Sequence, residues 1–318
     1  MPTFKIILAY DGTPFVGWQR QASGTSVQGL LEDALRELDE RDVAVTGAGR
    51  TDAGVHALGQ VAGFSLERAI APDALVRAIN ARLPGAVRVL SAVEASPTFH
   101  ARFEARTKIY CYRIWNGDVM SPFERAYAWH VPGSIALEPM RAAARVLEGR
   151  HDFAAFQAAG SETLTTTRVV FSSRIVAGLK PCATAVDQRG AGLPPSHEAS
   201  ASAEASADSS VAFGEAESAN RRSLAGATSA AAALGWLGGD GQTCAGRLIV
   251  YEIAGSGFLR HMVRNIVGTL VEIGCGRRPV EWVSEVLASR DRARAGRTAP
   301  PEGLVLVAVE YASQVGAM

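Results

Sequence analysis

The chain carries, at residues 49–56, the sequence Gly49-Arg50-Thr51-Asp52-Ala53-Gly54-Val55-His56, which we call the Asp52 loop, and a mainly apolar run follows at 61–66. Gly49 and Gly54 can adopt a positive φ or let another part of the chain approach closely, so the stretch predicts a tight turn. The run that follows is typical of a strand, so we expect the loop to be anchored on a β-sheet with the Asp52 carboxylate at its mouth. Two interpretations are open at this point: an active-site loop, or a turn whose aspartate only bonds to its own backbone.

The composition is that of a globular protein. The 318 residues are 47% hydrophobic and 20% charged, which is enough for a sizeable core and for two domains. No run of about 18 consecutive apolar residues is present and the N-terminal residues show no signal-peptide pattern, so we expect a cytoplasmic protein without membrane segments. The four cysteines are too scattered for a zinc site or a disulfide framework, so we expect no metal.

The formal net charge of zero excludes a surface that is basic throughout. However, 29 of the 32 basic residues are Arg, the side chain best suited to bidentate phosphate contacts and to stacking on bases. Genomic base composition alone can also favour Arg over Lys. Any nucleic-acid surface is therefore expected to be a local patch.

Hydrophobic periodicity predicts an α+β fold in two similar halves, with residues 1–105 carrying the Asp52 loop and residues 106–318 completing the protein. We expect each half to be a mainly antiparallel sheet with helices packed on one face, and a central cleft between the halves in which a site would lie. The predicted strands are at 4–10, 60–66, 87–93, 108–115, 169–176, 247–253 and 304–311, and the predicted helices are at 27–38, 72–83, 137–147, 259–273 and 282–287.

An Ala/Ser-rich insertion interrupts the second half at about 180–245. Its densest part, residues 195–234, contains 14 Ala and 9 Ser and few large apolar groups. Such a tract buries too little surface to offset the entropy of ordering it, so we expect it to be disordered.

Two further clusters combine aromatic and basic side chains. Residues 11–21 hold Phe15, Trp18 and Arg20 in a Gly-containing loop, which fits either core packing plus a surface charge or a platform for stacked bases. Residues 106–113 hold two tyrosines beside basic residues, and taken alone this pattern indicates a half-buried strand.

A third cluster, residues 255–265, places glycines before the predicted helix at 259–273. We expect the first N–H groups of that helix to be free to meet an anion, with Arg260 and Arg264 sharing one helical face. The patterns of a serine hydrolase, a Walker-type nucleotide site and a zinc protease are absent from the sequence.

Together these motifs resemble the tRNA pseudouridine synthase A family, from the first strand to Tyr311. The resemblance implies the pseudouridine synthase fold with a basic cleft, a homodimer, no metal or organic cofactor, and isomerisation of uridines in the tRNA anticodon stem-loop, typically at positions 38 to 40. It is carried by Asp11-Gly12, Gly17-Trp18-Gln19-Arg20, the Asp52 loop, Phe99-His100-Ala101-Arg102-Phe103, Tyr110-x-Tyr112, His151-Asp152-Phe153 with Phe156, His261-Met262-Val263-Arg264-Asn265-Ile266-Val267-Gly268 and Pro301-x-Gly303-Leu304.

The resemblance also implies roles for individual residues. Asp52 is expected to be the essential carboxylate, with Arg264 as the cationic partner that keeps it ionised. The target uridine has to leave the base stack, and Arg50 is expected to enter the gap or to hold the displaced backbone. Tyr110 would lie against the flipped ring, with its hydroxyl a candidate for removing the C5 proton, and Leu304 would pack on the other side of the pocket. Candidate RNA contacts are Arg20, Arg102, Arg106 and Arg260.

Two other functions stay open from the sequence. One is a non-catalytic RNA-binding or RNA-folding protein, against which the set of Asp52, Tyr110 and Arg264 argues, because binding alone does not require a carboxylate facing phosphates. The other is a carboxylate-dependent glycosidase or nucleosidase, which would want a second acid beside Asp52, and no paired carboxylate is evident. Whether Asp52 acts on C1′, C2′ or C6 also stays open.

Overall fold

The first half of the chain alternates strands and helices as its hydrophobic pattern predicts. The structure is a computed structural model that describes residues 1–160, 163–179 and 246–312, with the backbone alone for 177–179. The elements of the first half are β1 Thr3–Tyr10, α1 Val27–Asp39, β2 Thr46–Gly47, β3 His56–Ser65, α2 Pro72–Asn80 and β4 Val87–Ala95.

The second half contains every predicted strand and helix and adds two short strands. Its elements are β5 Ala105–Gly117, β6 Trp129–His130, α3 Leu137–Val146, β7 Gly149–Asp152, β8 Thr167–Leu179, β9 Gly246–Gly255, α4 Met262–Gly274, α5 Trp282–Ser289 and β10 Leu304–Tyr311, with one-turn 3-10 helices at Ala154–Phe156, Arg292–Arg294 and Pro301–Gly303. The predicted insertion at about 180–245, and with it the expected disorder, lies outside the described residues.

One mixed, mostly antiparallel sheet runs through both halves in the order β4-β1-β3-β10-β5-β9-β8-β7, with β2 on β3 and β6 on β5. This confirms the α+β class. The two halves meet where β10, from the end of the chain, lies between β3 and β5. It pairs parallel to β3 through Val305 with His56 and Leu306 with Ala57, and antiparallel to β5. The Asp52 loop leads into β3 and therefore lies beside this junction.

One face of the sheet and the apolar faces of the helices form the main core. In β1 the alternate residues Phe4, Ile6 and Leu8 are fully buried, which is the period of a strand with one face on a core. Helix α1 buries Leu31 and Leu35 against them, and full burial of one leucine side chain stabilises the fold by about 1.5–3 kcal/mol.

Helix α1 starts where its predicted capping residue stands, whereas α4 starts later than the sequence predicts. Ser26 caps α1, since its Oγ accepts a hydrogen bond from the Gly29 N–H at 3.1 Å. The prediction that α4 starts at residue 259 was wrong by three residues, because His261 has a left-handed φ of 62° that interrupts the helical repeat. Arg260 therefore lies in the turn before α4 and does not share a helical face with Arg264.

Each helix in the described ranges is too short or too polar to traverse a lipid bilayer.

Candidate active site

The Asp52 loop is held from three sides. The Trp18 N–H donates to the Thr51 carbonyl at 3.0 Å, and the hydroxyls of Tyr10 and Thr51 are 2.8 Å apart. Gln60, fully buried on β3, donates through Nε2 to the Gly49 carbonyl at 2.9 Å. These contacts fix the part of the loop that leads into Asp52, so that the carboxylate is presented from a well-supported backbone.

Two glycines are required by the loop geometry. Gly54 has a φ of 77°, and Gly17 has a φ of 111°. A side-chain carbon on Gly17 would lie only 2.6 Å from the Thr51 carbonyl oxygen, so any larger residue would displace the loop. The predicted turn is thus confirmed at Gly54, whereas Gly49 keeps a φ outside the left-handed region and would accept a side-chain carbon at ordinary contact distance from Lys108.

The Asp52 side chain faces positive charge. Arg264 Nη1 and His261 Nε2 both lie 3.5 Å from Asp52 Oδ2, and the carboxylate is 31% exposed. No hydrogen bond joins the Asp52 side chain to the backbone of its own loop in the described part of the chain, so the simple turn interpretation of this aspartate is wrong. Arg264 belongs to the first turn of α4, whose N-terminal end carries the positive pole of the helix dipole.

Arg264 is itself anchored. Its Nε donates to the Ala299 carbonyl at 2.7 Å, and its own carbonyl accepts from the Ala299 N–H at 3.1 Å. The Arg264 side chain is 13% exposed, so its orientation toward Asp52 is set by the backbone at 299 and not by solvent. The contact between Arg264 and Asp52 joins residues that are 212 positions apart in the sequence.

His261 is a site residue that sequence reasoning missed as an individual. Its left-handed φ is unusual for a residue with a side chain and turns the imidazole toward Asp52. Burial lowers the pKa of His261; the Asp52 carboxylate opposes this, while Arg264, Arg260 and Arg292 lower it further. The imidazole beside Asp52 is therefore mostly neutral at neutral pH. The sequence offered only its place in a matched motif, because nothing in local spacing distinguishes it from a helical histidine.

Tyr110 lies on β5, within electrostatic range of the same carboxylate. Burial raises the pKa of the Tyr110 hydroxyl, and the nearby Tyr10 and Asp52 raise it further. Its ring meets the ring of Phe258 edge to face with centroids 5.2 Å apart. The hydroxyl forms no hydrogen bond to any other described residue, so it is available to a ligand. Leu304 begins β10 opposite Tyr112 and is 6% exposed.

The predicted RNA-contacting arginines fall into two groups. Arg50, Arg106 and Arg260 are exposed and form no ion pair within the described ranges, and Arg102 is exposed with its guanidinium 5.9 Å from the Phe103 ring. Arg20 instead lies against α1, paired with Glu32 at 3.1 Å and Asp33 at 2.8 Å.

The aromatic residues next to Arg20 are not a stacking platform. Phe15 is 6% exposed and Trp18 is 3% exposed, and both belong to the main core. The alternative of core packing plus a surface charge is therefore correct for residues 11–21. The reason is that the loop folds back on the sheet, where the Trp18 ring covers Gly47.

A second polar cluster, also missed from the sequence, stabilises the loop after Asp52. His56 is buried, with its Nδ1 3.0 Å from the Gly12 N–H and 3.2 Å from Asp11 Oδ1. Tyr127, from the second half, donates its hydroxyl to Asp11 Oδ2 at 2.9 Å. Burial lowers the pKa of His56, against the effect of Asp11. The cluster ties both halves of the chain to the end of the Asp52 loop.

Among the residues that the structure describes, no group of three or more His, Cys, Asp or Glu side chains is arranged to hold a metal ion. Cys111 is buried and Cys275 is partly buried, and both are free thiols.

Comparison with known proteins identifies the family. A family model described as tRNA pseudouridine synthase matches residues 6–104 and 143–312 of this chain. The tRNA pseudouridine synthase A of Myxococcus xanthus is 39% identical over 311 residues, which cover 98% of this chain and 92% of that protein. Those of Syntrophotalea carbinolica and Solibacter usitatus are 37% and 36% identical over 314 residues each, with 99% and 98% of this chain covered and 98% and 100% of the relatives. The chain therefore belongs to the tRNA pseudouridine synthase family, whose members are isomerases.

Proposed function

We propose that the chain isomerises uridine to pseudouridine in the anticodon stem-loop of tRNA, at positions 38 to 40, with Asp52 as the essential carboxylate. The observation that carries the proposal is the Asp52 carboxylate itself. It is partly exposed, lies 3.5 Å from both Arg264 and His261, and is close enough to Tyr110 for its charge to raise the pKa of the Tyr110 hydroxyl. Family membership and the resemblance of the matched motifs support the choice of tRNA as substrate.

The chemistry requires a group that attaches and then leaves. Uridine loses its bond between N1 and C1′, the detached base turns, and a bond forms between C5 and C1′, after which the C5 proton is lost. A carboxylate can add to the sugar or to the ring and depart again, provided it is an anion. The Arg264 guanidinium and the N-terminal end of α4 place positive charge beside Asp52.

Tyr110 is assigned to holding the base. Because burial and the Asp52 charge raise its pKa, the phenol stays protonated at neutral pH. A protonated phenol donates a hydrogen bond but is a poor general base, so we assign the ring to packing against uracil and the hydroxyl to orientation. Leu304, next in space to Tyr112, would complete the apolar wall.

Base flipping is part of the proposal, since a stacked uridine cannot bring its sugar and ring onto a carboxylate that is only partly exposed. Extrusion of a base from the stack costs a few kcal/mol. Arg50 stands two residues before Asp52, is exposed, and pairs with no described carboxylate, so its guanidinium is free to fill the gap or hold the displaced phosphate. The resemblance further supports a cytoplasmic homodimer that uses neither metal nor organic cofactor.

The test is tritium release from tRNA transcript labelled at uridine C5, with wild type and Asp52→Asn compared. We expect release by the wild type at positions 38 to 40 and none by the variant, although the variant binds tRNA with wild-type affinity. Asparagine is nearly isosteric with aspartate, so the variant should keep the loop structure, and a thermal melt checks this. A folded wild type that releases no tritium from any tRNA would overturn the proposal in favour of RNA binding alone.

A further inference from the structure

Lys108 is a cation beside the Asp52 loop with no partner among the described residues. It lies on β5 opposite Gly255 of β9 and Val309 of β10, two residues before Tyr110, so its side chain shares the face of the sheet on which Tyr110 lies. Its Nζ would be 3.5 Å from a side-chain carbon placed on Gly49, so the ammonium stands over the start of the Asp52 loop.

The surroundings of Lys108 are cationic. Burial, followed by the charges of Arg102 and Arg168, lowers the pKa of Lys108 to about 8. Lys108 as a whole is partly exposed, and its ammonium forms no hydrogen bond or ion pair with any residue that the structure describes. The groups that face it are Arg102 from the segment after β4, Arg168 from β8 and the backbone at Gly49.

Arg168 is fixed next to this position. Its Nη1 donates to the carbonyls of Thr165 and Thr167 at 2.9 and 2.7 Å, and its Nε would be 3.9 Å from a side-chain carbon placed on Gly257. It shares the face of β8 with Val170, which is buried in the main core. No carboxylate pairs with it in the described ranges, so its positive charge adds to that of Lys108.

Like charges gathered in a partly desolvated place repel one another unless an anion completes the arrangement. Elsewhere in this chain a buried cation is neutralised, as Arg113 is by Glu124 at 2.7 Å. Lys108 and Arg168 lack such a partner throughout the part of the chain that the structure describes, and Lys108 borders the loop that carries Asp52. The missing counter-charge is therefore expected to come from the ligand.

We propose that Lys108 and Arg168, with Arg102 at the rim, form a binding site for a backbone phosphate of the RNA, next to the nucleotide that enters the Asp52 site. The inference rests on the proposed function, since it takes the ligand to be RNA. Inorganic phosphate would offer the same chemistry. A phosphodiester of the bound RNA is favoured because the site borders the loop of Asp52 and lies on the face of Tyr110.

The first experiment measures tRNA affinity against salt, in the Asp52→Asn background so that no turnover occurs. Each phosphate contact contributes a slope of about 0.7–0.9 in log Kd against log salt. Between 1 M and 0.15 M salt, one such contact strengthens binding by about fivefold. We expect Lys108→Gln to reduce the salt slope by about 0.7–0.9 and the tRNA affinity at 0.15 M salt by about fivefold. Arg168→Gln should have the same two effects, and Lys108→Arg should keep the wild-type slope and affinity. Arg77→Gln is the control, because α2 packs on β4, four strands away from β5.

The second experiment follows the pH dependence of the same affinity. The free ammonium loses its proton near pH 8, and a bound phosphate holds that proton more tightly, so affinity should fall by about threefold from pH 7 to pH 9. Lys108→Arg should be flat over this range because a guanidinium keeps its charge. Lys108→Gln should be flat as well, at the weaker level.

The outcomes separate the two proposals. If the wild type releases tritium but folded Lys108→Gln keeps the wild-type salt slope and affinity, the phosphate site is wrong and the proposed function stands. The phosphate site is also wrong if Lys108→Gln binds tRNA normally and loses only the single-turnover rate. It is wrong as well if inorganic phosphate raises the melting temperature of the wild type but not of Lys108→Gln, while the two bind tRNA equally well. Absence of tritium release from the wild type would instead contradict the proposed function.

Discussion

Replacing Arg264 by Gln tests the electrostatic basis of the site. At 3.5 Å, with an effective dielectric constant of about 20, the attraction between one positive and one negative charge is about 5 kcal/mol. This is an upper bound, because both groups are partly exposed and part of the attraction is shared by the ground state and the transition state. The carboxylate gives up charge as it adds, so Arg264 supports the rate through the orientation that it imposes on Asp52 before addition. We expect loss of that orientation to cost about half of the attraction, roughly 2–3 kcal/mol, which corresponds to about 30–150-fold in rate.

The assay is a single-turnover tritium release at saturating tRNA, because it reports the chemical step apart from binding. Arg264→Lys keeps the charge but loses the bond from Nε to the Ala299 carbonyl, so its rate should lie between those of wild type and Arg264→Gln. Arg77→Gln, which also removes one guanidinium but far from Asp52, should react at the wild-type rate. Melting temperatures confirm that each variant is folded at the assay temperature.

A rate for Arg264→Gln within about threefold of wild type, or above it, would refute the reasoning. It would mean that the guanidinium is not needed to orient the Asp52 carboxylate for addition. A loss of rate that appears equally in Arg264→Lys would instead indicate that the guanidinium fork, and not its charge, orients the carboxylate.

Three further predictions concern the site and its support. Tyr110→Phe should lower the single-turnover rate by less than about tenfold, well below the roughly 10²–10⁴-fold of a general acid or base, and a larger loss would assign proton transfer to the hydroxyl. His56 has a pKa lowered below 6.5, so its contribution to stability is present above pH 6.5 and is lost as the pH falls toward the folded-state pKa. The urea concentration at the unfolding midpoint of the wild type should therefore be lower at pH 5.5 than at pH 7.5. For His56→Asn the decrease should be smaller, with a remainder that comes from His261, and equal decreases would contradict this. Gly17→Ala would place a carbon 2.6 Å from the Thr51 carbonyl at a φ of 111°, so it should destabilise by about 1–3 kcal/mol and reduce tritium release, and an unchanged melting temperature would show that the loop yields without cost.

The sequence by itself determined the local elements and the position of the key loop. Alternation of apolar residues in β1, and helical spacing with a Ser26 cap in α1, gave boundaries close to those observed, because burial on one face imposes a period on the chain. The glycines of the Asp52 loop predicted its turn, and the motifs of the whole chain pointed to the family.

Only the tertiary structure decided which elements meet. Periodicity tells which face of a strand is buried but not which strand lies beside it, so the insertion of β10 between β3 and β5 was not predictable from local pattern. That insertion unites the halves that were expected as separate sheets, and it places Leu304 beside Tyr112.

Tertiary structure also decides which charged side chains meet at the site. The contact of Asp52 with Arg264 joins positions 212 residues apart, and the approach of His261 depends on one left-handed residue that shortens α4. Burial of Phe15 and Trp18, which the sequence left undecided, was settled by the fold of their loop onto the core. The cationic neighbours of Lys108 likewise come from separate segments. Sequence specifies which residues can do chemistry, and packing over long separations decides which of them share a site.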